Sequence, residues 1–188
     1  QRFLLEVGTL LGTMRHLSDT DRASLLIESM SAEALATSAI EGEHLNRNNL
    51  RASIRQQLGL KGGRRKVEPA EGGIAGMMVD LHRNFAGPLS PQTLFQWHRM
   101  VVNGRGDLRD VGRYRSHKDP IQIVSGPSHA RKVHFEGMPS SRVPRQMKDL
   151  IAWVNRTAPS GTTPLPTITR AGIAHLYFES IHPFEDGN

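Results

Sequence analysis

The stretch Ile181-His182-Pro183-Phe184-Glu185-Asp186-Gly187-Asn188 holds the densest chemistry in the sequence. His182 offers an imidazole whose ordinary pKa lies near neutrality, which suits a general base. Asp186, four residues on, offers hard oxygen ligands. Mg2+ is commonly held by one or two carboxylates together with substrate phosphates, so a single Asp suffices. Gly187 lets the backbone approach a ligand closely, and a helix opening after it would present unpaired N–H groups to a phosphate. Phe184 is expected to face inward and anchor the loop. A base, a metal-binding oxygen and a row of N–H groups suit transfer of a phosphate-linked group. A competing pattern is His175, Glu179 and His182, on one helical face at metal-ligand spacing. Pro183 places His182 at a helix end, which weakens that pattern.

These residues need helices to hold them. Residues 2–17 carry Phe3, Leu4, Val7, Leu10, Leu11, Met14 and Leu17 at helical spacing. Ser18-Asp19-Thr20-Asp21 supplies N-cap chemistry for a helix over about 22–40, running through Leu25, Leu26, Met30 and Leu35, with Gly42 as its stop. Asn46 caps a helix over 47–58 that Gly59 ends. A Gly- and Lys/Arg-rich linker follows to residue 68, then a helix over 69–85 opened by Pro69. Its Gly72, Gly73 and Gly76 suggest close packing on a neighbour. Ser90-Pro91 starts a helix over 93–102 with Trp97 on the buried face. Residues 104–118 form a loop. Two β-type runs, 121–124 and 132–135, flank Gly126-Pro127-Ser128 and make a hairpin. A helix over 142–155 turns Val143, Met147, Leu150, Ile151 and Val154 to one side. After a Pro/Gly/Thr loop at 159–166, Thr167 caps a last helix over 168–181.

Composition bounds the class. The 188 residues suffice for a sizeable core plus a helical extension. With no Cys, disulfides and thiolate zinc sites are excluded. No run reaches the roughly 18 apolar residues of a membrane span, and no signal-peptide pattern opens the chain, so no membrane partner and a cytoplasmic location are expected. The net charge of +6 and pI near 10.3 favour anionic partners. Arg47, Arg51 and Arg55, followed by Lys61, Arg64, Arg65 and Lys66, form a basic run with no acid between 47 and 66. It reads as a solvated face or as a nucleic-acid contact.

The last stretch resembles the signature of the Fic family, His-x-Phe-x-Asp/Glu-Gly-Asn-Gly-Arg with a second Arg two residues later. His182, Phe184, Asp186, Gly187 and Asn188 match in register. The final Gly and both arginines lie past Asn188, so the chain is expected to be a fragment cut at both ends. Gly112-x-Tyr114-Arg115, the hairpin, residues 147–153 and Ala171-x3-His175-x2-Phe178-x2-Ile181 also sit where Fic domains place similar residues. The resemblance implies an all-α, mainly helical Fic fold with one short β-hairpin flap, covering 87–188. Residues 1–86 would be an N-terminal helical segment. It further implies an AMP transferase using ATP and Mg2+ on a Ser, Thr or Tyr hydroxyl of a target protein. His182 would be the base, and His175 would pack or orient the loop. Asp186 would hold Mg2+, and Phe184, Glu185, Asp186, Gly187 and Asn188 would form the nucleotide site. A target segment would add as a strand to the flap, Ile121, Gln122, Ile123, Val124, Val133 and His134.

Thr37-Ser38-Ala39-Ile40-Glu41-Gly42 resembles the family's inhibitory motif, Ser/Thr-x-x-x-Glu-Gly/Asn. The resemblance implies that Thr37, Glu41 and Gly42 restrain transfer, the Glu41 carboxylate competing with the γ-phosphate for a signature arginine. AMP removal, transfer of UMP or phosphocholine, a homodimer, and nucleic-acid binding through the basic face or a later segment remain open alternatives.

Overall fold

The computed structural model describes residues 2–40, 42–60, 67–118, 121–127 and 129–188. Glu41, Lys61, Arg64, Arg65, Lys66 and Ser128 therefore lie outside the described residues. The chain divides into two compact units, Gln1–Arg83 and Asn84–Asn188.

The first unit contains α1 (Arg2–Met14), α2 (Asp19–Ile40), α3 (Arg47–Gln57) and α4 (Pro69–Asn84, which reaches one residue past it). The Ser18 hydroxyl accepts the Asp21 N–H at 3.1 Å and opens α2. Gly42, at φ +79°, closes it: its N–H meets Ala39 O and the Glu43 N–H reaches Ser38 O. That pairing satisfies carbonyls the last turn leaves open. Thr37 is exposed on this last turn. Asn46 Oδ1 accepts from the N–H groups of Asn48 and Asn49, starting α3 as its sequence predicts.

The core joins Ile27, Met30 and Ala34 of α2, Leu50 and Ile54 of α3, and Ala75 and Val79 of α4. The buried face of α2 is thus Ile27, Met30, Ser31 and Ala34. Leu25 is exposed, and Leu26 and Leu35 only flank the core. The buried face follows strict i, i+3, i+4, i+7 spacing. In α1 the helical spacing holds but no residue is buried. In α4 Gly73 is buried, and a Cβ on Gly72 would lie 2.8 Å from Val67 Cγ1 in the segment leading into the helix. Within the basic run, Arg47 and Arg51 both pair with Glu28, which α2 brings across to α3.

The second unit contains α5 (Pro91–Val101), β1 (Gln122–Ser125), β2 (Lys132–Glu136), a short 3-10 turn (Ser140–Arg142), α6 (Val143–Arg156) and α7 (Thr167–Ile181). Ser90 caps α5 by accepting the Thr93 N–H at 3.1 Å. The two strands pair antiparallel as expected, with Ile123 opposite Phe135 and Val124 opposite Val133, leaving His134 as the extra residue of a bulge. The core gathers Val143, Met147 and Leu150 of α6 with Ile181 of α7. One expectation fails on α7. Thr167 is its first helical residue rather than its cap, since Pro166 precedes it without a side-chain cap. Ile181 is its one buried residue, while Ile168, Ile173 and Leu176 are exposed.

Candidate active site

The signature loop begins where α7 stops. His182 is the C-cap residue, with φ 48° and ψ 66° in the left-handed region. Among the described residues it is the one non-glycine with a positive φ. A Cβ makes that conformation unfavourable, so the surroundings must hold it. Its N–H donates to Phe178 O at 2.9 Å. Arg115 holds the far side, donating from Nε to His182 O at 2.7 Å and from its own N–H to Pro183 O at 2.9 Å.

Beyond His182 the loop turns inward, then closes on itself. Pro183 is fully buried and Phe184 is 3% exposed. The Phe184 ring stacks on the His98 imidazole, with centroids 4.1 Å apart and planes 9° apart. Phe95 meets it edge-on at 6.5 Å. The Asn188 amide accepts the Phe184 N–H at 2.7 Å and donates back to Phe184 O at 3.2 Å. This reciprocal pair fixes a five-residue turn. Gly187, at φ +68°, lies where a Cβ would come 2.9 Å from Val102 Cγ1. Only glycine meets both the dihedral and the space.

Three of the expected nucleotide-site residues therefore serve the loop itself. Phe184 packs inward, as an anchor should, and its ring is closed off from a ligand. The Asn188 side chain closes the turn. Glu185 Oε2 accepts from the N–H groups of Arg109 and Asp110 at 2.8 and 2.9 Å, pinning the loop over 103–118. The inward role of Phe184 is the expected one; those of Glu185 and Asn188 were not legible in the sequence, because the Glu185 partners lie elsewhere in the chain and the Asn188 bonds depend on how the turn closes.

Asp186 is different. Its carboxylate is about half exposed at the loop tip. Oδ1 accepts the Gly187 N–H at 2.8 Å, and Oδ2 lies 3.0 Å from Arg105 Nη2. Arg105 also grips Asp107 through Nε and Nη2, at 2.8 and 2.7 Å. Hydrogen bonding to Arg105 holds the Asp107 carboxyl down at about 2. The exposed Asp186 carboxylate fits a single hard ligand to Mg2+, the remaining oxygens coming from phosphates and water. Among the described residues no three His, Cys, Asp or Glu come together to hold a metal. The His175–Glu179–His182 pattern is thereby set aside, and His175 is exposed rather than packed.

His98 is the residue that sequence reasoning missed. Trp97 was the expected inward residue of α5, but it is only half-buried, whereas His98 is 2% exposed. The Gly112 N–H donates to His98 Nδ1 at 2.8 Å. The ring proton therefore sits on Nε2, which donates to Asp186 O at 3.0 Å. Burial lowers the His98 pKa, against the opposing pull of the Asp186 carbonyl, and favours this neutral form. The spacing of Leu94 and His98 on α5 with Val102 at its C-cap was the available signal.

Asp110, 3% exposed, locks the neighbouring loop. It accepts the Ser116 N–H and hydroxyl at 2.6 and 2.8 Å and the Arg113 Nε at 2.8 Å. Burial alone would raise its pKa; the Ser116 donors and Arg113 outweigh that and hold it below 3.8. A carboxylate with a depressed folded pKa adds stability above its unfolded pKa and loses it as pH falls through the folded value. Asp110→Asn is expected to lower stability at neutral pH by about 1–3 kcal/mol, because the Ser116 donors lose a charged acceptor. It should also flatten the acid limb of a thermal-melt series below about pH 4.

The expected flap residues sit on the hairpin. Ile121 O accepts the Gly137 N–H at 2.7 Å and closes its base. Gln122 reaches Glu136 across the strands, and Ser125 bonds His134 Nε2 at 2.6 Å. Val124 and Val133 are exposed. For Ile123 the backbone pairing is described.

Fold and site together define a helical domain with one hairpin and a His–Phe–Asp–Gly–Asn loop at the end of its last helix. A family model described as "Fic/DOC family" matches residues 88–188, and the chain belongs to that family. A model described as "Domain of unknown function (DUF4172)" matches residues 1–60. The chain is 25% identical over 193 residues to protein adenylyltransferase fic-1 of Caenorhabditis elegans, covering 100% of this chain and 35% of that protein. It resembles the structure of a Fic family protein from Desulfovibrio desulfuricans, with TM-score 0.61 and 24% identity, over 99% of this chain and 52% of that one. It also resembles a Fic domain containing signaling protein from Bacteroides thetaiotaomicron, with TM-score 0.66 and 18% identity, over 97% and 66% of the two chains. The chain thus spans about a third of the curated relative's length. Both structural likenesses agree with the expected mainly helical fold.

Proposed function

We propose that this protein transfers AMP from ATP to a hydroxyl of a target protein. The observation that carries the reading is the loop at 182–188. A His is held in an unfavourable backbone conformation, four residues before a half-exposed carboxylate, in a turn closed by its own side chains. Packing alone needs none of those features.

In this reading His182 takes the proton from a Ser, Thr or Tyr hydroxyl. The freed oxygen attacks the α-phosphorus of ATP, the bond to the β-phosphate oxygen breaks, and pyrophosphate leaves. Asp186 would hold Mg2+, which when bound neutralises charge on the phosphates. His98, Phe184, Glu185 and Asn188 keep the loop in shape. The target segment lies along the hairpin, whose β2 residues are all exposed and whose strand edges can take another strand. The AMP-transferring name of the Caenorhabditis elegans relative supports the nucleotide assignment.

Labelled ATP tests the reaction class. Protein-bound label is expected from ATP labelled at the α-phosphate and not from ATP labelled at the γ-phosphate. Retention of the γ label would mean phosphorylation and would reject the reading.

The N-terminal unit is proposed to restrain this activity through Glu41. A carboxylate in the γ-phosphate's place competes for the same guanidinium and repels the nucleotide. Glu41→Gly is expected to raise AMP transfer several-fold. Unchanged transfer and unchanged nucleotide affinity would remove Glu41 from the account.

A further inference from the structure

We propose that Arg115 is the positioning residue for the His182 base, acting through the backbone of residues 181–183. The inference rests on the AMP-transfer reading and adds a residue to it. Arg115 is 2% exposed. Its guanidinium donates from Nε to His182 O at 2.7 Å and from Nη2 to Ile181 O at 3.4 Å and Met138 O at 2.6 Å. Its backbone N–H adds a bond to Pro183 O at 2.9 Å. One residue thus grips three consecutive carbonyls on both sides of the left-handed His182.

The physical logic has three parts. The carbonyls at the end of α7 lack helical partners and carry the negative end of the helix dipole, so a buried cation is favoured there. Burial pulls the Arg115 pKa down, yet a guanidinium stays charged where an ammonium could lose its proton. The flat fork then holds several carbonyls at fixed angles, which a single ammonium cannot do. The Met138 bond anchors the fork to the chain just past β2, so Arg115 is braced from outside the loop it holds. Without it, His182 has weaker cause to stay left-handed, and the direction of its Cα–Cβ bond changes with φ.

The test uses the full protein with Arg115→Lys and Arg115→Gln, at a temperature where circular dichroism shows each folded. Arg115→Lys keeps the charge and is the safer variant for folding. Two readouts are taken. The first is the amide-to-Hα scalar coupling of His182, which reports φ without any reaction. The second is the separation of kcat from KM for ATP. The expected result is a changed His182 coupling in both variants and a kcat lower by about 10²-fold, with KM for ATP little altered. A coupling and kcat both like wild type in folded Arg115→Lys and Arg115→Gln would overturn the proposal. If wild type itself transfers no AMP, the enzymatic reading fails separately. The coupling then decides alone, and an unchanged value overturns the positioning role.

Discussion

Replacing His182 by Asn lowers AMP transfer by about 10²- to 10⁴-fold, the usual contribution of a positioned general base. Asn is the sharper probe than Ala because of the backbone. At φ 48° and ψ 66° His182 occupies a region that Asn tolerates and Ala does not. Two of its bonds run through the main chain, from its N–H to Phe178 O and from Arg115 to its carbonyl. Neither requires the imidazole. His182→Asn should therefore remove activity at a smaller cost in stability than His182→Ala. His182→Ala should remove activity and also cost about 1 kcal/mol of stability. Thermal melts beside single-turnover assays separate the two effects. Equal stability losses in both variants would show that the imidazole itself supports the fold.

Phe184→Ala has the largest expected effect on stability, about 3–5 kcal/mol by denaturant titration. The ring is 3% exposed, stacks on His98 and touches Phe95, Tyr114 and Phe178 within 6.5 Å. Truncation leaves a cavity beneath the loop that carries both His182 and Asp186. It also exposes the His98 face that orients the Asp186 carbonyl. Activity should fall together with stability, because loop and core are one packing unit here. Phe184→Leu keeps most of the volume and should cost clearly less. A loss below about 1 kcal/mol for Phe184→Ala would place the ring outside the core.

Local chemistry explains what was legible. Ser18, Asn46 and Ser90 cap helices because their side chains meet N–H groups two or three residues on. Gly42 and Gly59 end helices through their own positive φ. The stripe Val143, Met147, Leu150 and Ile151 on α6 is buried because its spacing leaves one face to bury. What was not legible depends on partners far along the chain. His98 bonds residues 14 and 88 positions away. Glu185 reaches back 75 and 76 positions, and only that contact makes it a clamp. Glu28 pairs with Arg47 from 19 positions before it, a contact that the basic run read alone does not show. Helical spacing over 2–17 predicted α1 but not its burial, since an apolar face is buried only where another element covers it.

The most direct measurement follows protein-bound label from α-phosphate-labelled ATP with Mg2+ and cell lysate. It compares wild type, Glu41→Gly, and Glu41→Gly combined with His182→Asn. The account predicts little label for wild type, more for Glu41→Gly, and none above background once His182 is replaced. Label retained at the Glu41→Gly level without the imidazole would contradict it.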